Sequence, residues 1–482
     1  MGWLVINARV LTGIPVLIMI SLVAGVGLLE YVHLTASGLW LDELASVFFS
    51  EASESLSYLY YSRMVQDTSP PLYYILLHYW MLVFGEGEYP VRILGWLATL
   101  ATAVTTYFLA LKVYGRSIAI ILAASLFCSP GLVQYGLEAR AYVFLLLFTP
   151  LLILQAIYLC KQVESGQPTE QKALLLFVIY GLCASLMHYS CLFLYAVLGL
   201  YVFFLAGTRG VGIARILLYG LCSVVIYMIW VSSTLGGIGH RLGAGSGPGF
   251  DVDLISNLYT VMVLSFGSIY VAGLLIVPVL VAAIMHGPNY YKSQDFIVPV
   301  ISIVGLILIY WAISRHTVIQ TPRNFLVLLP ALLILAVVAA ERSQPRAWYP
   351  WAGAILCMLF VFYAPGRASE IKSEMREAAA YIASQPACGS GEIYSIPDMG
   401  RGTHHFRYYL PDSDLQLITD RQEPFEKHNA RILAQQCPVV LWIMHWTDRD
   451  EAIIRMLGLP ADRLQAVRFV HSTVYIRKAG NS

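Results

Sequence analysis

Charge is what this sequence has least of. Only 12% of its 482 residues are Asp, Glu, Lys or Arg, while 58% are hydrophobic, and the mean hydropathy is +0.68. A soluble domain carries about a quarter charged residues, so a single water-soluble globule is excluded. The formal net charge is +1 and no basic run occurs, which removes nucleic acid as a partner. Nucleotide signatures are missing as well: no GxGxxG follows a strand and there is no Walker pattern. Cysteine is sparse. Six of the eight (Cys128, Cys160, Cys183, Cys191, Cys222 and Cys357) lie in or beside apolar blocks and read as packing residues. Cys388 and Cys437 fall in a polar C-terminal region, where spacing alone leaves a bridge and two separate thiols equally open. His404, His405 and His445 complete no metal-ligand spacing, so no metal is expected.

What the sequence does have is apolar blocks of bilayer length, roughly 20 residues each. The first, about residues 11–32, is too long for the core of a signal peptide and has no small-residue cleavage site, so it reads as a retained helix preceded by Arg9. Further spans are predicted at about 89–111, 117–135, 139–160, 173–188, 189–207, 215–232, 262–285, 295–313, 323–341 and 350–364. The expected architecture is a mainly α, polytopic bundle of about eleven transmembrane helices without an internal repeat. Residues 34–88 form a long first loop whose DELASVFFSEASESLSYLYYSRM and PLYYILLHYWMLVFG stretches read as interfacial helices rich in Tyr and Trp. Alternate connections carry Lys112 and Arg116, Lys161 and Lys172, Arg209 and Arg215, Lys292, and Arg342 and Arg346. With Arg9 these mark the cytoplasmic face. The expected placement is therefore multi-pass in the plasma (inner) membrane, with a cytoplasmic N-terminus. From about residue 365 to 482 the composition turns soluble, with helix and strand patterns alternating. That predicts two domains: 1–364 in the membrane and 365–482 as a small extracytoplasmic α/β domain.

The outer connections hold the chemistry-bearing residues. Asp42 and Glu43 are adjacent acids just past the first span, beside Trp40. A carboxylate in a partly apolar setting can be held ionised as a general base; the alternative is an ordinary helix N-cap at Asp42. Asp67 sits on a proline-stiffened turn, QDTSPPLYY, that also carries Tyr73; taken alone this is a helix start. Arg92, Arg140 and Arg323 stand at the outer ends of spans. Snorkelling explains each singly. Three together break the positive-inside trend and suggest a paired anion such as a lipid phosphate, which suits the guanidinium fork. His188 and Tyr189 lie at an outer junction between two spans, where a satisfied interfacial histidine is the plainer reading.

In order, GLWLDELAS, DTSPPLYYILLHYWMLVFGEGEYPVRILGWLATL, QYGLEARAYVFLLL, HYSCLFLY and TPRNFLVLLPAL resemble bacterial members of glycosyltransferase family 39, over most of residues 34–340. These are integral-membrane enzymes of GT-C type, related to protein O-mannosyltransferases and to the aminoarabinose transferases of lipid A. The resemblance implies a polyprenyl-phosphate-linked sugar as donor, a hydroxyl acceptor (glycolipid, polysaccharide or protein), inversion at the anomeric carbon, and no metal or nucleotide cofactor. It implies a base at Asp42, with Glu43 beside it, and donor-phosphate contacts at Arg92, Arg140 and Arg323. It further implies substrate contacts at Glu138, Tyr142, His188 and Tyr189, with Asp67 and Tyr73 in the same loop system. Two positions depart from the pattern: Ser69 stands where many relatives have His before Pro-Pro, and Asn324 where they often have Tyr after Pro-Arg. The chemistry is coherent with the residues. A phosphate leaving group already bears charge and needs cations, the acceptor hydroxyl needs one base, and the lipid tail needs an apolar groove. Three other readings stand beside it: a secondary transporter, a non-catalytic protein binding lipid-linked sugars, and a ligase using a lipid pyrophosphate. The transporter predicts ionisable residues at mid-bilayer, whereas here they gather at one interface.

Overall fold

The computed structural model describes residues 2–66, 69–166, 169–244, 254–314, 322–343, 348–385, 393–396, 404–412, 415–418, 425–434, 439–444, 450–459 and 461–477. The chain divides into two compact units, residues 1–32 with 50–368, and residues 33–49 with 369–482. In chain order the helices begin with α1 (Gly2–His33), α2 (Leu41–Phe49), α3 (Leu56–Ser62) and α4 (Leu72–Phe84). Then come α5 (Glu88–Tyr114), α6 (Arg116–Cys128), α7 (Pro130–Gly136), α8 (Tyr142–Glu164), α9 (Gln171–Met187) and α10 (Tyr189–Arg209). They are followed by α11 (Ile213–Ala244), α12 (Leu254–Phe266), α13 (Ile269–Leu274), α14 (Ile276–His286) and α15 (Pro288–Tyr291). The first unit ends with α16 (Gln294–Ser314), α17 (Leu328–Ser343) and α18 (Tyr349–Ala368).

Among the described residues nine helical segments are long and apolar enough to cross a membrane, and the bent pair α6–α7 makes a tenth. The expected segment 173–188 corresponds to the 17-residue α9, which at 1.5 Å per residue is about 26 Å long and falls short of a hydrocarbon core of about 30 Å, so nine or ten spans stand among the described residues where eleven were expected. Local chemistry explains the breaks. Between α6 and α7 the axis turns by 56°, because Pro130 has no N–H to continue the ladder. Ser129 accepts from the Leu132 N–H there and donates to the Leu126 carbonyl. One residue, Gly115 at φ 92°, separates α5 from α6, a conformation glycine adopts without steric cost. In the first loop, Ser55 accepts from the Tyr58 N–H and so starts α3, which splits the first interfacial stretch into two helices.

Two spans form the buried axis of the first unit. Their most apolar windows, in Tyr142–Glu164 and Arg323–Ser343, are each 83% buried, against 22–39% for the other seven. Both axial spans end in a polar cluster. Asp295, 5% exposed at the start of α16, pairs with Lys161 of α8 at 2.7 Å and with Arg342 of α17. The Lys161 ammonium lies 4.5 Å from the Tyr114 ring centroid and the Arg342 guanidinium 5.6 Å from that of Tyr290. One carboxylate thus joins helices α8, α16 and α17.

The second unit is α/β. Strands β1 (Ile393–Ile396), β2 (Leu415–Leu417), β3 (Val439–Met444), β4 (Leu464–Phe469) and β5 (Ser472–Arg477) form one sheet in the order β2-β1-β3-β5-β4. β1 is parallel to β2 and β3, with Ile393 opposite Val440; β5 is antiparallel to β3 and to β4. Central strands β1 and β3 are buried throughout; β3 is an unbroken apolar run, and in β1 the buried Ser395 hydroxyl donates to the Gln416 carbonyl. The FVHSTVYIR stretch holds the end of β4, a Val470–His471 turn with His471 at φ 64°, and β5. Residues 33–49, which the sequence groups with the membrane part, join this unit through specific contacts. The Leu39 N–H donates to the Tyr409 hydroxyl, Lys372 lies 5.0 Å from the Trp40 ring, and Phe48 stacks on His404 at 4.2 Å. Cys388, Cys437 and His445 lie outside the described residues.

Asp295→Asn leaves Lys161 and Arg342 facing each other with no counter-charge. The expected cost is about 2 kcal/mol, less than for a fully buried pair because both cations are partly exposed. A lowered midpoint of thermal unfolding in detergent checks it; an unchanged midpoint shows that the cluster does not hold these helices.

Candidate functional site

The opposite ends of the axial spans carry the arginines. Segment 137–141 links α7 to α8, tightened where the Arg140 N–H donates to the Glu138 carbonyl at 2.8 Å. It delivers Tyr142 as the first residue of α8. A short 3₁₀ stretch, Pro322–Val327, leads into α17 and carries Arg323. The two guanidinium groups each lie 5.7 Å from the centroid of the Tyr142 ring. That ring is 5.4 Å from His188 and 5.2 Å from Tyr135, and His188 stacks on Tyr189 at 4.5 Å. Five of the residues singled out from sequence, namely Arg140, Tyr142, His188, Tyr189 and Arg323, therefore form one group.

The group continues into the bundle through aromatic contacts. Tyr189 meets Phe193, Phe193 meets Tyr310, and the Tyr310 hydroxyl donates to the Asn324 carbonyl at 3.0 Å. His188 has a backbone duty too: its Nδ1 accepts from the Ser190 N–H at 3.2 Å and so caps α10. That fixes the neutral tautomer with the hydrogen on Nε2. The positive charges of Arg140 and Arg323 both act on this imidazole, which places two cations around one buried, neutral ring.

Beside this group stands α5. Arg92 is 5% exposed, and Gly95 and Thr99 follow it at helical spacing on one face. A Cβ on Gly95 would be 2.7 Å from the Gly136 carbonyl and 3.1 Å from that of Glu138. A Cβ on Gly136 would be 2.3 Å from Thr99 Oγ1 and 3.3 Å from Glu30 Oε1. Two glycines thus let the Glu138 segment lie against the Arg92 helix. Glu30 was not singled out from sequence. It is fully buried on α1, and among the described residues neither of its carboxyl oxygens has a hydrogen-bond partner. Its signal was a lone acid inside an apolar block. The α1 helix is tied to α5 where the Trp96 indole donates to the Gly27 carbonyl at 3.2 Å.

Of the remaining sequence-derived residues, Tyr73 is buried on α4, 5.8 Å from the Phe144 ring of α8. Asp67 lies outside the described residues. Asp42 and Glu43 belong to the second unit, in the first turn of α2. There Glu43 Oε2 accepts from the Trp40 N–H at 3.1 Å, the reach-back half of a capping box. The capping duty that the sequence offered to Asp42 is filled at least in part by Glu43. Both acids sit in the first turn of α2.

Comparison with solved structures identifies the architecture. The crystal structure of ArnT from Cupriavidus metallidurans bound to undecaprenyl phosphate aligns with a TM-score of 0.63 at 14% identity, covering 96% of this chain and 98% of that one. The apo structure of the same protein aligns with a TM-score of 0.63 at 13% identity, over 95% and 98%. The oligosaccharyltransferase of Archaeoglobus fulgidus aligns at 0.46 and 13% identity, over 88% of this chain and 70% of that one. The fold is that of ArnT. No family model and no curated protein matches the sequence.

Gly136→Ala should destabilise the protein by about 1–3 kcal/mol through overpacking against Thr99. Adding Thr99→Ala removes the clashing hydroxyl, whose hydrogen bond goes only to the Gly95 carbonyl of its own helix. The double variant should recover most of the thermal midpoint; no recovery would show that the close approach of α5 and α7 is not what the glycine serves.

Proposed function

We propose that this chain is a membrane-embedded glycosyltransferase that moves a sugar from a polyprenyl-phosphate donor to a hydroxyl acceptor on the extracytoplasmic face. The observation that carries the reading is the pair Arg140 and Arg323 flanking the Tyr142 ring at the head of two buried apolar spans. Two guanidinium groups at the outer ends of spans suit the forked geometry of a lipid phosphate, which lies where headgroup meets chain. That the whole chain shares its fold with a protein solved with undecaprenyl phosphate bound supports the same reading.

In the proposed reaction the acceptor O–H gives its proton to the Asp42 carboxylate, and the freed oxygen electron pair attacks the anomeric carbon. The carbon–oxygen bond to phosphate breaks on the opposite side, so configuration inverts, and the bond pair stays on the departing polyprenyl phosphate. Its added negative charge is held by Arg140 and Arg323, with Arg92 as the third cation. The neutral Nε2–H of His188, with Tyr142 and Tyr189, supplies donors and ring surface for the sugar. Glu138, Asp67 and Tyr73 are assigned to the same substrate contacts. Glu43 is assigned to holding the turn that presents Asp42. The acceptor, whether glycolipid, polysaccharide or protein, is left open by these groups.

Purified protein in nanodiscs, supplied with polyprenyl-phosphate sugars, should consume donor. Asp42→Asn should lower transfer about 100-fold or more while donor binding persists. Arg323→Gln should weaken lipid-phosphate binding about tenfold. Undiminished transfer by Asp42→Asn removes Asp42 as the base, and consumption of only a lipid pyrophosphate replaces the donor class.

A further inference from the structure

Asp42 stands on a helix too short to hold itself. The nine residues of α2 are fewer than the roughly 12–15 that an isolated helix needs in water, so its conformation is imposed by what packs on it. The reach-back bond from Glu43 to the Trp40 N–H is local; it closes the first turn without fixing where that turn stands. The contacts that fix it come from the C-terminal part of the second unit, 341 and 370 residues further along the chain.

Two short helices, α19 (Met375–Ala383) and α20 (His404–Arg407), carry or border the residues concerned. The Arg376 guanidinium donates to the Thr35 carbonyl at 3.3 Å, and is braced by donating to Glu377 Oε1 at 3.1 and 3.0 Å. Two residues beyond α20, the Tyr409 hydroxyl accepts from the Leu39 N–H at 2.5 Å. Leu39 is wholly buried, so its N–H has no water to turn to if that oxygen is lost. Gly38 lies between the two contacts: a Cβ there would be 2.8 Å from Arg376 Cβ and 3.0 Å from the Tyr409 oxygen. At the far end of α2, Phe48 stacks on His404 at 4.2 Å. The acid-bearing segment is held both before and after Asp42.

This hold is anchored on the sheet. Val470, in the turn between β4 and β5, donates its N–H to Glu374 Oε2 at 2.9 Å, and its carbonyl accepts from the Glu374 N–H at 3.3 Å. Glu374 directly precedes α19, so the placement of Arg376 follows that of the β4–β5 hairpin. β5 pairs along its whole length with the central strand β3.

We propose that the α/β domain is a positioning device for the proposed base: through Tyr409 and Arg376 it fixes segment 35–39, and hence where the Asp42 carboxylate stands. The inference rests on the reading under Proposed function, in which Asp42 takes the acceptor proton, and adds what the second unit is for. A general base acts only within hydrogen-bond reach of its proton, and a misplacement of about 1 Å can cost about 100-fold. Tyr409 and Arg376 act through Leu39 and Thr35 and are positioning residues.

Tyr409→Phe removes the acceptor for the Leu39 N–H and keeps the ring; Gly38→Ala pushes the segment off Arg376 and Tyr409. Full-length protein in nanodiscs is followed for release of undecaprenyl phosphate from undecaprenyl-phosphate-linked sugars, with a cell-envelope extract as acceptor. In each variant the maximal rate should fall about tenfold or more, while binding of undecaprenyl phosphate itself is unchanged. Hydrogen exchange at the amides of residues 39–44 should quicken about tenfold. In an Asp42→Asn background neither change should lower the residual rate further, whereas a variant that merely fails to fold loses activity with or without the carboxylate. An equal proportional loss in that background, or a normal rate in both variants, overturns the positioning role and leaves Asp42 standing. A higher acceptor requirement at an unchanged maximal rate overturns it in favour of acceptor binding by the domain. If Asp42→Asn itself transfers sugar normally, the proposed base fails first and this assignment with it.

Discussion

Everything in the first unit is arranged around the cost of placing cations at the ends of two buried apolar helices. The segments Tyr142–Glu164 and Arg323–Ser343 run in the same direction through the bundle, and each has a cation near both ends. At one end Lys161 and Arg342 share the carboxylate of Asp295. At the other, Arg140 and Arg323 share the ring of Tyr142. The first arrangement, two cations on one carboxylate, is a structural clamp. The second, two guanidinium groups on one aromatic face, is where the proposed function seats a phosphate.

That asymmetry accounts for the company the second pair keeps. His188 is held neutral as a hydrogen-bond acceptor at a helix cap, so the charge around Tyr142 comes from the guanidinium groups rather than from a titrating ring. Gly95 and Gly136 let the Glu138 segment approach α5 more closely than any residue with a Cβ would permit. Glu30 is buried beside them with no hydrogen-bond partner among the described residues. A buried carboxyl in that condition is costly, and its Oε1 would stand 3.3 Å from a Cβ on Gly136 at the end of α7.

How much of this was legible in the sequence follows from what kind of signal each feature leaves. Hydropathy over 20 residues is a strong signal, and most apolar blocks became helices near their expected bounds, while 262–285 is divided among α12, α13 and α14 and 117–135 is bent between α6 and α7. Arg140, Tyr142, His188 and Arg323 were legible because charge and aromatics at span ends stand out against apolar neighbours. The Asp295 clamp was not, because an aspartate heading an apolar block looks like an ordinary helix start until Lys161 and Arg342 are brought to it from over a hundred residues away and from forty-seven residues on. Glu43 was read as a partner in chemistry, yet its short-range duty is to the Trp40 N–H. The edge strand β4, with its mixed polar pattern, left no alternation to read, and its turn into β5 has His471 at positive φ where Gly or Asn would have announced it.

The same economy of packing explains why a groove of about 570 Å³ between α9, α10 and α11, lined in part by Gly199 and Gly220, can stay open in this bundle. With α8 and α17 carrying the axial contacts, the outer layer is not needed to close the core. The most apolar window of Ile213–Ser232 is only 22% buried, and that of Tyr189–Arg209 is 33%. Helices so lightly committed can be spaced by Gly199 and Gly220 without loss of core packing.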